Sequence, residues 1–227
     1  MKKVFLAIVV TVFCAGAFAQ KVEKITLSRE GNFEMMAFLL DENVTVNMSN
    51  DGAISAFGVE IYSDRIPNFS RLDKFPGRTE YYSANDNEAF SGKVKYIGKT
   101  LITYYASFDN ESLRGKVKSI GSTNFEYYSL SENETVRGKI KQAGSVQFGW
   151  YTTYDNEAMK GKLKSVGSTT LNYYASFDDK AFKGKIKSIG NATFTYYSSL
   201  EKAEYRGSLK SGTQMQTING VKYYVKF

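Results

Sequence analysis

The chain has 227 residues and a formal net charge of +7, with no histidine and a single cysteine, Cys14. Without histidine it can build no Ser-His-Asp triad, no imidazole general base and none of the usual zinc ligand sets. Aromatic residues reach 15%, with 17 Tyr and 16 Phe against two prolines, a composition that favours strands over helices and over disorder.

The first residues, MKKVFLAIVVTVFCAGAFAQ, join Lys2 and Lys3 to an apolar run and then to Ala17-Phe18-Ala19, the pattern of a secretory signal peptide over residues 1–19 cut before Gln20. The apolar run is short for a hydrocarbon layer of ~30 Å. Thr11-Val12-Phe13 ahead of Cys14 does not form a lipoprotein box. The mature chain is then exported, free of cysteine, and held by packing and ladder hydrogen bonds without disulfides. Periplasm or cell surface is the expected address, with the outer membrane as the alternative.

Residues 20–68 read as an N-terminal β segment. NFEMMAFLL (Asn32 to Leu40) has Met and Leu that suit a helix as well, and it is read as a strand because its neighbours are strands. NVTVNMSNDGAISAFGVEIYS (Asn43 to Ser63) carries an Asn-Asp-Gly turn between two alternating runs, a hairpin signature.

From residue 69 the chain repeats. Gly92, Gly115, Gly138, Gly161, Gly184 and Gly207 fall at a constant interval of 23, which gives six copies over 69–206 and a partial repeat or cap over 207–227. Within a copy, Leu113, Gly115 and Val117 alternate with Arg114, Lys116 and Lys118, and Phe125 and Tyr127 alternate with Glu126 and Tyr128, so each copy is two strands. A glycine between them (Gly98, Gly121, Gly144, Gly167, Gly190) marks a tight turn. A three-residue loop with a bulge keeps apolar opposite apolar, because a two-residue loop sets Lys118 across from Phe125. The other connection is polar and always holds an acid: Asp86, Asp109, Glu132, Asp155, Asp178 or Glu201.

One hairpin is marginal in water, but stacked copies share edges and extend one apolar face. The predicted fold is therefore all-β, an antiparallel meander of 23-residue hairpin repeats curled into a large sheet, sandwich or barrel. Its apolar face carries Val94, Val117, Ile140, Leu163 and Ile186 with the stripe Tyr81, Tyr104, Tyr127, Trp150, Tyr173 and Tyr196. If each copy touches mainly its neighbours, one whole copy is removable as a unit.

The opposite face is predicted to carry Lys93, Lys95, Lys116, Lys118, Lys139, Lys141, Lys162, Lys164, Lys185 and Lys187, with Tyr105, Tyr128, Tyr151 and Tyr174 beside them. Two readings stand. The lysines are a solvated face that keeps the sheet soluble and guards its edges, or they form a platform for an anionic polymer, with ammonium groups at regular intervals and tyrosine rings and hydroxyls between them. For an exported protein the fitting partners are anionic surface polysaccharide or lipopolysaccharide, or another protein chain, and nucleic acid is not expected. No cofactor or metal is implied. An enzyme is not expected either, since the acids recur in six equivalent loops where catalysis needs one asymmetric site.

An outer-membrane β-barrel is the alternative. The closing GVKYYVKF alternates like the last strand of such proteins, but about eight residues per strand fall short of the ~9–11 a spanning strand needs. The 23-residue period is similar to that of MORN repeats, whose glycine and Tyr-x-Gly pattern is absent, and choline-binding repeats need more than one Trp. Over residues 69–206 the chain resembles uncharacterised exported bacterial proteins built of GKxKSIG…YY repeats, with Ile or Val at x. That resemblance implies a fold and no activity.

Overall fold

The computed structural model describes residues 21–63 and 70–227. The proposed signal peptide, Cys14 and residues 64–69 lie outside the described residues. The fold is all-β, an antiparallel hairpin meander with one sheet curled as a half-barrel.

The first third of the chain alternates at period two and forms strands β1 (Lys21–Leu27), β2 (Phe33–Leu39), β3 (Val44–Met48), β4 (Ile54–Tyr62) and β5 (Ser70–Asp73). Both N-terminal readings hold: NFEMMAFLL is a strand, and Asn50-Asp51-Gly52 turns the β3–β4 hairpin with Gly52 at φ +85°.

The repeats follow as β6 (Thr79–Tyr81), β7 (Val94–Ile97), β8 (Thr100–Tyr104), β9 (Val117–Ile120), β10 (Thr123–Tyr127), β11 (Ile140–Ala143), β12 (Val146–Trp150), β13 (Leu163–Val166), β14 (Thr169–Tyr173), β15 (Ile186–Ile189), β16 (Ala192–Thr193), β17 (Thr195–Tyr196) and β18 (Leu209–Ser211). The chain closes with β19 (Met215–Ile218) and β20 (Val221–Val225).

Two large sheets result. One runs β19-β20-β1-β2-β3-β4-β5, so the C-terminal hairpin joins the N-terminal sheet through a parallel β1–β20 pairing. It is strongly curled: β1 and β4 are three places apart in the sheet, yet the Lys24 ammonium and the Glu60 carboxylate form an ion pair. The other is the repeat meander, eleven strands from β6 to β16 in chain order, continued after a break at Phe194 by β17 and β18.

The two sheets face each other across one core. Ile25, Leu27, Met36, Phe38, Val46 and Met48 from the first meet Val117, Ile120, Phe125, Ile140, Phe148, Leu163 and Leu171 from the second. Ring contacts cross the interface, Phe33 with Trp150 at 5.5 Å and Phe38 with Phe125 at 5.2 Å. The apolar repeat face predicted from the sequence is thus covered by the chain itself.

The turn inside each repeat differs from the expected three-residue loop. Ile120 pairs with Thr123 and Ser119 with Asn124, which leaves the two-residue turn Gly121-Ser122 with Gly121 at φ +54°. Glycine at the first central position with positive φ matches the twist of the flanking strands. The parity problem is solved elsewhere. Tyr104 pairs with Val117 while Thr103 pairs with Ser119, so Lys118 is an extra, bulged residue. The same shift recurs at Lys95, Lys141, Lys164, Lys187 and Lys210. A bulge inverts the alternation, so Val117 and Ile120, three residues apart, both point into the core.

Candidate functional site

The ten predicted site lysines divide into two rows with different surroundings. Lys93, Lys116, Lys139, Lys162 and Lys185 are half-buried. Each sends its ammonium to the carbonyl of the repeat glycine one copy further on: Lys93 to Gly115, Lys116 to Gly138 at 2.7 Å, Lys139 to Gly161 at 2.5 Å, Lys162 to Gly184 and Lys185 to Gly207. Each also lies 4.8–5.3 Å from the centre of a buried ring of its own copy: Tyr104, Tyr127, Trp150, Tyr173 or Tyr196. Burial lowers all five ammonium groups below the ordinary lysine range, Lys162 to about 8. The reading of this row as solvent-facing is therefore corrected. A carbonyl acceptor and a ring face offset part of the cost of removing each charge from water, and the row rivets copy to copy.

The bulged lysines Lys118, Lys141, Lys164 and Lys187 are exposed, and Lys95 partly so. A sixth member of the row, Lys210, escaped the sequence reading because its copy lacks the Gly-Lys-x-Lys spelling. Each stands 5.0–5.6 Å from the ring centre of Tyr82, Tyr105, Tyr128, Tyr151, Tyr174 or Tyr197.

The second tyrosine of each pair is also placed differently from expectation. Tyr151 is buried, and Tyr105, Tyr128 and Tyr174 are half-buried against the core. Their hydroxyls donate to the backbone of the next copy, Tyr105 to the Phe125 carbonyl at 3.0 Å, Tyr128 to Phe148 at 3.0 Å, Tyr151 to Leu171 at 2.9 Å and Tyr174 to Phe194 at 3.0 Å. Burial raises all four hydroxyl pKa values, with nearby carboxylates adding to the effect. These hydroxyls are consumed by the fold; under the bulged lysines the rings of Tyr105, Tyr128 and Tyr174 remain partly exposed, while that of Tyr151 is buried.

Between the bulged lysines the outer face is small and polar. Thr103 and Ser119 hydroxyls meet at 2.6 Å, Asn172 donates to Ser188 at 3.0 Å, and Thr195 and Ser211 meet at 2.6 Å. Beside Gly149 lies a notch of about 220 Å³ lined by Lys141, Gln142, Gln147 and Ser165 among others. Two of the lysines have acidic neighbours, Lys141 with Glu132 at 3.6 Å and Lys164 with Asp155 at 3.4 Å. Exposed pairs of this kind contribute little and exchange readily.

The loop acids have a local role. Asp86 accepts from the Ser83 N–H and hydroxyl, Asp109 from Ala106 N–H, Asp155 from Thr152 N–H and hydroxyl, and Asp178 from Ala175 N–H, at 2.5–2.9 Å. These bonds lower the Asp86 carboxyl, chiefly through Ser83, and the Asp155 carboxyl, chiefly through the Thr152 backbone. A periodic side chain missed by the sequence reading sits one place on. Asn87, Asn133 and Asn156 each accept from a backbone N–H of the next loop, those of Ser107, Thr153 and Ser176, and donate to the same residue's hydroxyl. Its interval of 23 was visible, but an asparagine in a polar loop carried no distinguishing signal.

Among the described residues no group of three or more Cys, His, Asp or Glu is placed to hold a metal. No helix of the described residues is long and apolar enough to cross a membrane. No family model matches the chain, and no curated protein or solved structure matches it either.

Proposed function

We propose that the protein is an exported, non-enzymatic component of the bacterial envelope whose outer repeat face binds an anionic polymer such as an acidic surface polysaccharide. The observation that carries this reading is the bulge row. A bulge at the same place in each repeat lifts one lysine per copy out of the ladder and stands it over a ring. Equivalent strands recur at twice the interstrand spacing, about 9.6 Å, so the charges form a ruler along the sheet. The hydroxyls and amides between them suit the hydroxyl groups of a sugar chain, and the Gly149 notch gives room for one. Export rests on the leader-like sequence of residues 1–19. The repeat strands, two to five residues long, and the covered apolar face give the membrane-barrel alternative little support.

Retention on immobilised polygalacturonate, compared with a neutral glucan, tests the proposal. Many weak contacts act together, and exposed charges are screened over ~8 Å at physiological salt. Retention should be strong at low salt and lost at high salt, and Lys118, Lys141, Lys164 and Lys187 changed together to Gln should abolish it while the fold persists. A folded wild-type protein that ignores acidic glycans and lipopolysaccharide at low salt contradicts it.

A further inference from the structure

Two hairpin turns of the N-terminal sheet are seated on the inner lysine row, and a third seat is a cavity. At the first seat the turn Asn50-Asp51-Gly52 gives up three successive carbonyls. Ile140 N–H donates to Asn50 at 2.7 Å, the Lys116 ammonium to Asp51 at 2.9 Å and Val117 N–H to Gly52 at 3.1 Å. Gly52 lies flat on the Tyr127 ring, where an added Cβ meets the hydroxyl at 2.1 Å. At the second seat the Lys162 ammonium donates to the Glu30 carbonyl at 2.6 Å, and Gly31, at φ +78°, lies on the Tyr173 ring with an added Cβ 2.6 Å from Cε1. Both seats have one recipe: an inner-row ammonium takes a turn carbonyl, and the glycine after it lies on the buried ring of the same copy.

Lys93 and Tyr104 repeat that recipe in the second copy, with the ammonium 5.3 Å from the ring centre. No turn sits there among the described residues. A cavity of about 420 Å³ occupies the place, lined by Ile54, Phe57, Tyr81, Lys93 and Tyr104 among others. One wall is the edge of a strand. β5 pairs with Val59–Tyr62 only, so the first half of β4, from Ile54 to Phe57, has no strand beside it on that side among the described residues. Ser55 and Ala56 on it are exposed, and so is Tyr81, whose equivalents Tyr104, Tyr127 and Tyr173 are buried.

We propose that this cavity is a docking site for another polypeptide, which adds a strand beside Ile54–Phe57 and seats a glycine turn on Tyr104 with a backbone carbonyl on Lys93. Strand addition of this kind draws affinity from main-chain hydrogen bonds and selectivity from the pocket at its end. The pocket selects for glycine at the ring, because a Cβ on the glycine has nowhere to go in the seats that are filled.

The probe is a synthetic peptide of residues 47–55 of this chain, NMSNDGAIS, closed into a hairpin by a terminal disulfide and titrated into the full mature chain by calorimetry. Saturable binding is expected, weakened at least tenfold by Lys93→Met. The Lys139→Met protein, which loses the same kind of intramolecular contacts but does not line this cavity, should bind the peptide as the wild type does. Because Lys93→Met loosens the second copy, a second arm leaves the protein intact and changes the peptide at the position of Gly52 to Val, which should also weaken binding tenfold or more. The proposal is overturned if the folded wild-type chain does not bind the hairpin saturably, or if binding is indifferent to both Lys93 and the peptide glycine.

Discussion

Lys116 and Lys118 are two residues apart in one copy, identical in chemistry and predicted for the same face, yet they occupy opposite situations. The first is half-buried with its ammonium on the Gly138 and Asp51 carbonyls. The second is bulged out of the ladder into solvent. The two rows teach that a period-two pattern assigns a face only while the ladder stays regular. One inserted residue per strand separates a scaffold row from a surface row without any change of side chain.

The comparison is broken most severely by removing one copy. In a simple repeat array, excision of Gly138 to Lys160 preserves both faces and leaves a folded protein. Here the N-terminal turns anchor at Lys116 and Lys162, on either side of that segment. Its loss draws the two seats together while the turns of the covering sheet stay where they are. The deletion is expected to abolish cooperative unfolding, read by circular dichroism melts.

A matched pair of single changes separates the rows themselves. Lys139→Met leaves the Gly161 carbonyl without its donor and strips the cation from the Trp150 ring, at an expected cost of about 1–2 kcal/mol. Lys141→Met, in the same copy, gives up an exposed partner at 3.6 Å and an exposed contact with the Tyr128 ring and should change stability by less than about 1 kcal/mol, below the Lys139 effect. Equal effects erase the distinction.

The finest discrimination comes from pH. The inner lysines lose their protons earlier in the folded chain than in the unfolded one, Lys162 near 8 against an ordinary 10.5. Between those values the unfolded chain binds more protons, so stability rises with pH. Buried tyrosines such as Tyr104, Tyr127 and Tyr173 have raised pKa values, so above their ordinary 10.0 the unfolded chain sheds protons that the folded one keeps, and stability falls. A maximum on the alkaline side is expected in denaturant titrations across pH, and Lys162→Met should flatten its rising limb.

Much of the architecture was legible because burial is written at fixed intervals. The glycine interval marks the copies from Gly92 onward that pair in the meander, whereas β5, inside the first predicted copy, joins the N-terminal sheet; the aromatic stripe from Tyr104 to Tyr196 is buried as read, and Tyr81, at the end of the sheet beside the cavity, is open. The bulge was illegible, since nothing in Gly-Lys-Val-Lys-Ser says which residue leaves the ladder. That single ambiguity misplaced the inner lysines, the second tyrosines and the turn length together. The return of β19 and β20 to the N-terminal sheet was hidden too, because GVKYYVKF alternates equally well as a last repeat strand or as a neighbour of β1. The site's outer half was readable as charge at an interval; its floor of Ser, Thr, Gln and Asn was not, because such residues look alike in loops and on solvated strands.

The division of the lysines between scaffold and surface is tested most directly by following every lysine side chain of the folded protein by nitrogen-detected NMR across alkaline pH. Five side chains, assigned to Lys93, Lys116, Lys139, Lys162 and Lys185, should show slowly exchanging ammonium protons and titrate below the ordinary lysine range, with Lys162 near 8. Fast exchange and ordinary midpoints near 10.5 at those five positions would contradict the account.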